Sequence, residues 1–158
     1  MTRKQCNRLL TFLAVAYWSI CGIYLHVSPV SAGASVDYQR FSADDLRLVG
    51  DVVCAEARGE KRVGQHAVAW TILNRWKARR GSVGIPHIVK RGGYAKTCGD
   101  AYSGRRGAFL AAYEVLSGRA GDPTFGATHF FAPDRVPVPA WAQRCDAIGK
   151  HWFCLPHN

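Results

Sequence analysis

Acidic residues are scarce in this chain of 158 residues, which carries 11 Asp and Glu against 21 Lys and Arg. A reaction that needs a carboxylate therefore has few candidates in the sequence. The chain also lacks a Cys-x-x-Cys spacing, an internal repeat and a low-complexity tract. The sequence thus indicates neither a zinc site of that kind nor a repeat architecture. Its length fits one domain and leaves no room for a second domain with its own core.

Residues 1–32 have the pattern of an export segment. Three cations at positions 3, 4 and 8 precede an apolar run of 19 residues from Leu9 to Val27, and small residues follow. The run is long for a cleaved signal peptide and just long enough to span a bilayer. We expect either a signal peptide or an uncleaved signal anchor at 1–32, followed by a linker at 33–41. In both cases the protein is exported to the periplasm or cell wall, and the uncleaved form is anchored to the membrane.

The remainder of the chain is basic. Without the three cations of the export segment, it holds 18 Lys and Arg against 11 Asp and Glu. Such an excess favours an anionic polymer as the partner, either a cell-envelope polymer or a nucleic acid. The exported start argues against nucleic acid, so we expect none. The densest cationic cluster, Arg75 to Arg80, is interpreted as a solvated helix end whose cations complement the helix dipole.

Four of the six cysteines lie in the exported part, an even number in an oxidising compartment. They are Cys54, Cys98, Cys145 and Cys154. We expect two disulfides rather than a metal site. Four cysteines allow three connectivities, and the spacing does not choose among them.

Hydrophobic periodicity predicts three main helices. They cover about 42–58, 63–79 and 108–117, and the second is apolar on most sides, which makes it the central helix. Residues 81–107 are rich in glycine and poor in periodicity, and predict a long loop with one helical turn at 85–89. A short hairpin or extended segment follows the third helix. The fold class is therefore mainly α, with a small β part.

Glu56 stands where an apolar side chain is expected. The residues at helical spacing before it are Val53, Val49 and Leu46, which form one apolar stripe. A carboxyl group on such a face either finds hydrogen-bond donors or keeps its proton. A protonated carboxylic acid at neutral pH is what general acid catalysis requires. Glu56 is therefore the candidate catalytic acid.

Six segments, in order between about residues 44 and 154, resemble the SleB-type cell-wall hydrolases. They are Ala55–Glu60, Gly64–Ala69, Leu73–Arg75, Asp122–Phe130, Pro139–Trp141 and Ile148–Phe153. Each segment alone is weakly specific, whereas six in order are strongly so. The resemblance implies a lysozyme-like fold, related to transglycosylases, over residues 42–158. It also implies cleavage of the glycan strands of peptidoglycan, with Glu56 as the catalytic acid.

The resemblance further implies a set of substrate-binding residues, namely Glu60, Asn74, Tyr94, His129 and His151. Asn74 either caps a helix or orients a carboxylate or a sugar amide, and His129 is either a buried, satisfied histidine or part of the active site. The family usually carries a Gln-Phe-Ser-aromatic segment in the glycine-rich loop, where this chain has Gly-Tyr-Ala-Lys at 93–96. Tyr94 is therefore the candidate platform for stacking against a sugar.

The same resemblance bears on the disulfides. Cys54 and Cys154 stand where the family commonly has tyrosine, and replacement of two aromatics by two cysteines suggests that the positions touch. We therefore expect Cys54 to pair with Cys154, which leaves Cys98 to pair with Cys145 and to pin the glycine-rich loop. The alternative is that Cys54 is a free, buried thiol.

Glycoside cleavage commonly uses two carboxylates, about 5–5.5 Å apart for retention and about 6.5–9.5 Å apart for inversion. Glu60 is the only second acid close to Glu56 in sequence. It follows Gly59, where we expect the helix to end in a left-handed conformation, and it is therefore expected to face solvent. One acid fits the lytic transglycosylase scheme, which cuts between N-acetylmuramic acid and N-acetylglucosamine and needs no metal or organic cofactor.

Other functions compete with this interpretation. Hydrolysis by water is the alternative outcome of the same cleavage. A peptidoglycan-binding protein without catalysis, or a structural protein of the envelope, would share the basic surface and the exposed aromatics. Neither would gain from a carboxyl group on an apolar helix face. We expect a monomer that acts on peptidoglycan strands.

Overall fold

The computed structural model describes residues 40–95, 98, 104–140, 142 and 144–155. The expected export segment and nearly all of the expected linker lie outside the described residues. None of the described helices is long and apolar enough to cross a membrane.

Two long helices carry most of the core. Helix α1 (Ala43–Ala57) begins at a capping box, in which Ser42 Oγ accepts from the Asp45 N–H and the Asp45 carboxylate accepts from the Ser42 N–H. Helix α2 (Arg62–Ala78) buries ten of its 17 residues, as expected for the central helix. The left-handed conformation expected at Gly59 is wrong, because Gly59 is not among the described glycines with positive φ.

Two shorter helices complete the helical layer. Helix α3 (Ile85–Arg91) is longer than the single turn expected within the glycine-rich segment and buries three apolar side chains. Seven residues are too few for a periodic pattern to distinguish a helix from a loop. Helix α4 (Arg105–Leu116) begins before its predicted start and is followed by Gly118, whose φ of +73° ends it as predicted.

A small antiparallel sheet follows the helices in the chain. Its strands are β1 (His129–Phe131), β2 (Cys145–Ile148) and β3 (His151–Cys154), in the order β1–β3–β2. Strands β2 and β3 form a hairpin whose two-residue loop contains Gly149 at φ +62°, a conformation that favours glycine. Four helices and this sheet confirm the mainly α architecture with a small β part.

The expected disulfide connectivity is wrong. The structure pairs Cys54 with Cys98 and Cys145 with Cys154. The reason lies in the hairpin register, which sets Cys145 directly opposite Cys154 with their Cα atoms 4.0 Å apart. Cys54 and Cys154 are both fully buried, but Cys54 bonds to the glycine-rich segment. That segment is therefore pinned to α1 and not to the sheet.

The close packing of α1 on α4 depends on a glycine in α1. A Cβ atom at Gly50 would lie 2.9 Å from the ring of Phe109, closer than packed carbon atoms approach. In contrast, a Cβ atom at Gly59 would meet nothing within 4 Å. These two glycines therefore form a matched pair for testing the packing.

We expect Gly50→Val to lower the free energy of unfolding by about 1–3 kcal/mol, because the added methyl groups overpack the contact with Phe109. Gly59→Val, in open space, serves as the control. Chemical denaturation of both variants measures the difference. Equal stabilities would contradict the close packing of α1 on α4.

Candidate active site

Glu56 lies in the last turn of α1 and points from the core into a cleft. Val49 and Val53 on the same stripe are fully buried, whereas the Glu56 side chain is only partly covered. Its Oε1 accepts a hydrogen bond of 2.7 Å from the backbone N–H of Ala95. The carboxyl group thus lies at the end of the apolar stripe, as the sequence predicted. It accepts a hydrogen bond from a backbone N–H.

The segment that supplies this donor is held in three ways. Cys98 is bonded to Cys54 in α1, two residues before Glu56. Arg75 of α2 donates to the carbonyl oxygen of Gly92 at 3.0 Å. Tyr94 is 5% exposed and its hydroxyl lies 3.3 Å from Thr71 Oγ1. The position of the Ala95 N–H is therefore set by α1 and α2 together.

Glu56 stands at the junction of two cavities. The central cavity, of about 310 Å³, lies between the glycine-rich segment and β1. The turn-side cavity, of about 360 Å³, lies toward the β2–β3 loop. Both are lined by the same five residues, Ala55, Glu56, Ala132, Arg135 and His151. A chain-like ligand that ran through both cavities would pass over the Glu56 carboxyl group.

Glu60 was expected to face solvent, but it does not. Its side chain is only 9% exposed, and its Oε1 accepts from the backbone N–H of Lys150 at 3.2 Å. The β2–β3 loop covers it so tightly that a Cβ atom at Gly149 would overlap its carboxylate. Glu60 lines the turn-side cavity together with Glu56, and its oxygens hold the loop.

His151 connects Glu60 to the wall of both cavities. Its Nδ1 lies 3.5 Å from Glu60 Oε1 and is buried without a hydrogen bond among the described residues. The ring of Phe130 meets the His151 ring edge-on, with centroids 5.4 Å apart. The histidine is therefore held at a fixed angle in the cleft.

Tyr94 forms part of the wall of the central cavity and is not an open platform. The Arg75 guanidinium lies over its ring, 4.9 Å from the centroid, and Phe130 packs against it at 6.0 Å. Burial raises the pKa of the Tyr94 hydroxyl above its usual value, against the smaller opposing effects of Arg75 and Thr71. The tyrosine is therefore neutral and offers its ring edge to the cavity.

Asn74 and His129 do not line the two cavities beside Glu56. The Asn74 amide donates to Asp122 Oδ2 at 2.9 Å and to the carbonyl oxygen of Ala127 at 3.1 Å, so it holds the 122–127 turn. His129 lines a separate cavity beside Arg75. Burial and, secondarily, the Arg75 charge lower the pKa of His129.

Two residues of the cleft escaped the sequence analysis. Arg135 lines both cavities and lies in an irregular segment whose sequence gives no sign of a binding role. Phe130 could have been found from the sequence, because it lies between His129 and Phe131 in the aromatic segment that forms β1. Its ring lies in the central cavity between Tyr94 and His151.

A comparison with family models decides the family. The model described as cell wall hydrolase matches residues 59–154 of this chain. The chain belongs to the cell wall hydrolase family. The match begins three residues after Glu56, so it does not itself bear on this residue. The resemblance to SleB-type enzymes is confirmed by relatives and by solved structures.

Several curated relatives of this cell wall hydrolase are spore cortex-lytic enzymes. The one from Halalkalibacterium halodurans is 34% identical over 119 residues, which cover 72% of this chain and 36% of the relative. One from Bacillus cereus is 33% identical over 135 residues, which cover 80% of this chain and 49% of the relative. The chain therefore spans about a third to a half of the length of these relatives.

Solved structures agree with the family. The catalytic domain of the germination-specific lytic transglycosylase SleB from Bacillus anthracis has 28% identity and a TM-score of 0.56, over 73% of this chain and 97% of that domain. The catalytic domain of the Bacillus cereus SleB protein has 29% identity and a TM-score of 0.54, over 77% of this chain and 99% of that domain. This cell wall hydrolase thus has the fold of a SleB catalytic domain.

Removal of the Cys54–Cys98 disulfide should loosen the Glu56 site. Because the two cysteines are 44 positions apart in the sequence, the chain-entropy model gives a loss of about 4 kcal/mol in unfolding free energy for Cys98→Ala. We also expect faster hydrogen exchange at the Ala95 amide, because its segment loses one of its anchors. Exchange followed by NMR measures this effect.

The second disulfide provides the matched control. Cys145→Ala breaks a bridge whose cysteines are only nine residues apart, so the loss should be smaller, about 2.5 kcal/mol. It should leave the exchange of the Ala95 amide unchanged. A similar increase in both variants would contradict the role of the Cys54–Cys98 bridge in holding the donor.

Proposed function

We propose that this domain cleaves the glycan strands of peptidoglycan between N-acetylmuramic acid and N-acetylglucosamine, with Glu56 as the catalytic acid. The observation that carries the proposal is the position of Glu56 at the junction of two cavities. A polysaccharide has sugars on both sides of the bond to be cut, and each cavity has room for one of them. Membership of the cell wall hydrolase family supports the choice of substrate.

The hydrogen bond from Ala95 selects the oxygen that carries the proton. A backbone N–H donates only to an acceptor, so Glu56 Oε1 is the carbonyl-type oxygen of the protonated acid. The proton is then on Oε2, which transfers it to the glycosidic oxygen. The bond from that oxygen to the muramic acid anomeric carbon breaks, and the leaving sugar departs with a new hydroxyl group.

In the second step the Glu56 carboxylate acts as a base. It removes the proton from the 6-hydroxyl of the same muramic acid residue, and that oxygen bonds to the anomeric carbon. The product is a 1,6-anhydro sugar, no water is consumed, and Glu56 regains its proton. This scheme uses one carboxyl group and requires no metal or organic cofactor.

Glu60 and His151 are proposed to shape the cleft in this scheme. The Glu60 oxygens are engaged by the β2–β3 loop and by His151, which favours a positioning role over direct attack on the sugar. His151 and Phe130 offer ring surfaces to the sugars in the central cavity, and Tyr94 forms part of its wall. We further propose that the protein is exported, as the pattern of the first 32 residues suggests, and that it acts as a monomer.

Glu56→Gln tests the catalytic assignment. The amide keeps the size of the side chain but cannot deliver a proton, so we expect the clearing of purified peptidoglycan to slow by at least about 10²-fold. Asp146→Asn, at an exposed carboxylate on β2, is the control and should keep full activity. Thermal unfolding establishes that both variants are folded. Clearing by folded Glu56→Gln at the unaltered rate would refute the assignment and favour a binding or structural protein.

The chemical nature of the product tests the single-acid scheme. We expect digested peptidoglycan to end in 1,6-anhydro-muramic acid, which mass spectrometry distinguishes by the loss of one water from a hydrolysed end. Glu60→Gln should leave this product unchanged, because Glu60 is not the base. Reducing ends as the sole product would contradict the scheme and show that water is activated by a second group.

A further inference from the structure

A third cavity, of about 300 Å³, has three arginines among its lining residues and is named here the basic cavity. Its charged and titratable lining residues are Arg75, Arg79, Arg91, His87 and His129. No aspartate or glutamate of the described part of the chain lines it. A concave surface with this lining concentrates positive potential and attracts anions.

The acids of the described segments do not neutralise this cavity. Their ion pairs with arginine join Glu114 to Arg62 and Asp51 to Arg105, and Glu114 and Glu60 also lie beside His66 and His151. Arg79 and Arg91 form no ion pair with a residue that the structure describes, and both side chains are exposed. Their donors are therefore available to a ligand.

Helix dipoles explain only part of this arrangement. Arg79 follows the end of α2 and Arg91 ends α3, where cations complement the carbonyl ends of helices. The helix-dipole effect does not require that the arginines line the same cavity. It also does not require that one guanidinium is held in place. Arg75, however, is fixed, because it donates to the carbonyl oxygens of Thr128 and Gly92. It forms a preorganised wall on which a planar anion can bind.

His129 reports the potential inside the basic cavity. Burial lowers its pKa, and the Arg75 charge lowers it further. The imidazole therefore senses the positive charge of Arg75. An anion bound beside Arg75 would oppose this effect and raise the pKa of His129.

The basic cavity adjoins the central cavity that contains Glu56. Arg75 and Gly92 line both. No larger residue fits at position 92, because a Cβ atom there would overlap Tyr94 and Arg75. A sugar in the central cavity would therefore place its attached groups within reach of the Arg75 side chain. In peptidoglycan the attached group on muramic acid is a short peptide that carries carboxylates.

We propose that the basic cavity binds a carboxylate of the peptide attached to the glycan strand in the cleft, through Arg75, Arg79 and Arg91. This inference rests on the proposed function, because it requires a peptide-bearing glycan beside Glu56. It assigns the cavity a role in choosing the substrate. Strands with acidic peptides bind there, and bare strands lose these contacts.

A kinetic comparison with two substrates tests the proposal on the full chain. Arg79→Glu combined with Arg91→Glu should raise KM for glycan fragments with acidic peptides by about 10-fold or more, since the variant loses two charge-assisted hydrogen bonds to the carboxylate. The cleavage of fragments stripped of peptide should change less than about twofold. The double replacement by glutamine tests the same prediction without charge reversal.

Arg47→Glu combined with Arg106→Glu is the matched control for the change in net charge. Both residues are exposed, on α1 and α4, and line none of the three cavities, so this variant should process both substrates like the unaltered chain. An equal loss by the variants of Arg79 and Arg91 on peptide-bearing and peptide-free fragments would overturn the proposal. So would unchanged kinetics on both.

A binding experiment separates this inference from the catalytic proposal. The pKa of His129, followed by NMR, should rise when the full chain is saturated with a peptide that carries free carboxylates. The same peptide with amidated carboxylates should have no effect, and neither should an equal concentration of inorganic phosphate. Arg79→Glu with Arg91→Glu should remove the response.

The binding result does not depend on glycan cleavage. A rise with the acidic peptide, in a chain that cleaves no glycan, would support the carboxylate site and refute the proposed activity. Cleavage without any response of His129 would refute the carboxylate site alone. A response to inorganic phosphate as large as that to the peptide would overturn the peptide assignment, because the cavity would then bind oxyanions in general.

Discussion

The side chain of Arg75 joins the central helix to both segments that form the cleft. Its guanidinium donates to the carbonyl oxygens of Gly92 and Thr128 and lies over the Tyr94 ring. Its neighbour Asn74 holds the 122–127 turn in the same way. Two adjacent residues of α2 thus hold segments that come before and after α4. Loss of either would leave buried backbone oxygens without donors, which is costly in a partly buried site.

The sequence predicted well what depends on local pattern. The apolar stripe before Glu56, the capping box at Ser42 and the buried character of α2 all follow from residues within one helix. The disulfide connectivity depends on contacts between residues that are distant in sequence, and its prediction was wrong. The hairpin offered a signal that was missed. A two-residue loop at 149–150 aligns Cys145 with Cys154 by counting alone, which leaves Cys54 to pair with Cys98.

Contacts between distant residues explain the other differences. Glu60 was expected in solvent because it follows the end of α1, but a loop 90 residues later covers it. Helical spacing carries no information about such a contact. His129 was expected either to be buried or to lie in the active site, and it lines the basic cavity instead. The order of the motifs along the chain identified residues that lie near the cleft. It did not predict on which side of Arg75 each of them lies.

The distribution of charge around the cleft bears on how a single carboxyl group can suffice. The central cavity contains Arg75 and Arg135 beside Glu56, and the basic cavity adds two further arginines. Exposed cations contribute little to stability, but together they steer an anionic polymer and fix its register. In the proposed mechanism, Glu56 then needs only to transfer a proton, because other residues would place the substrate.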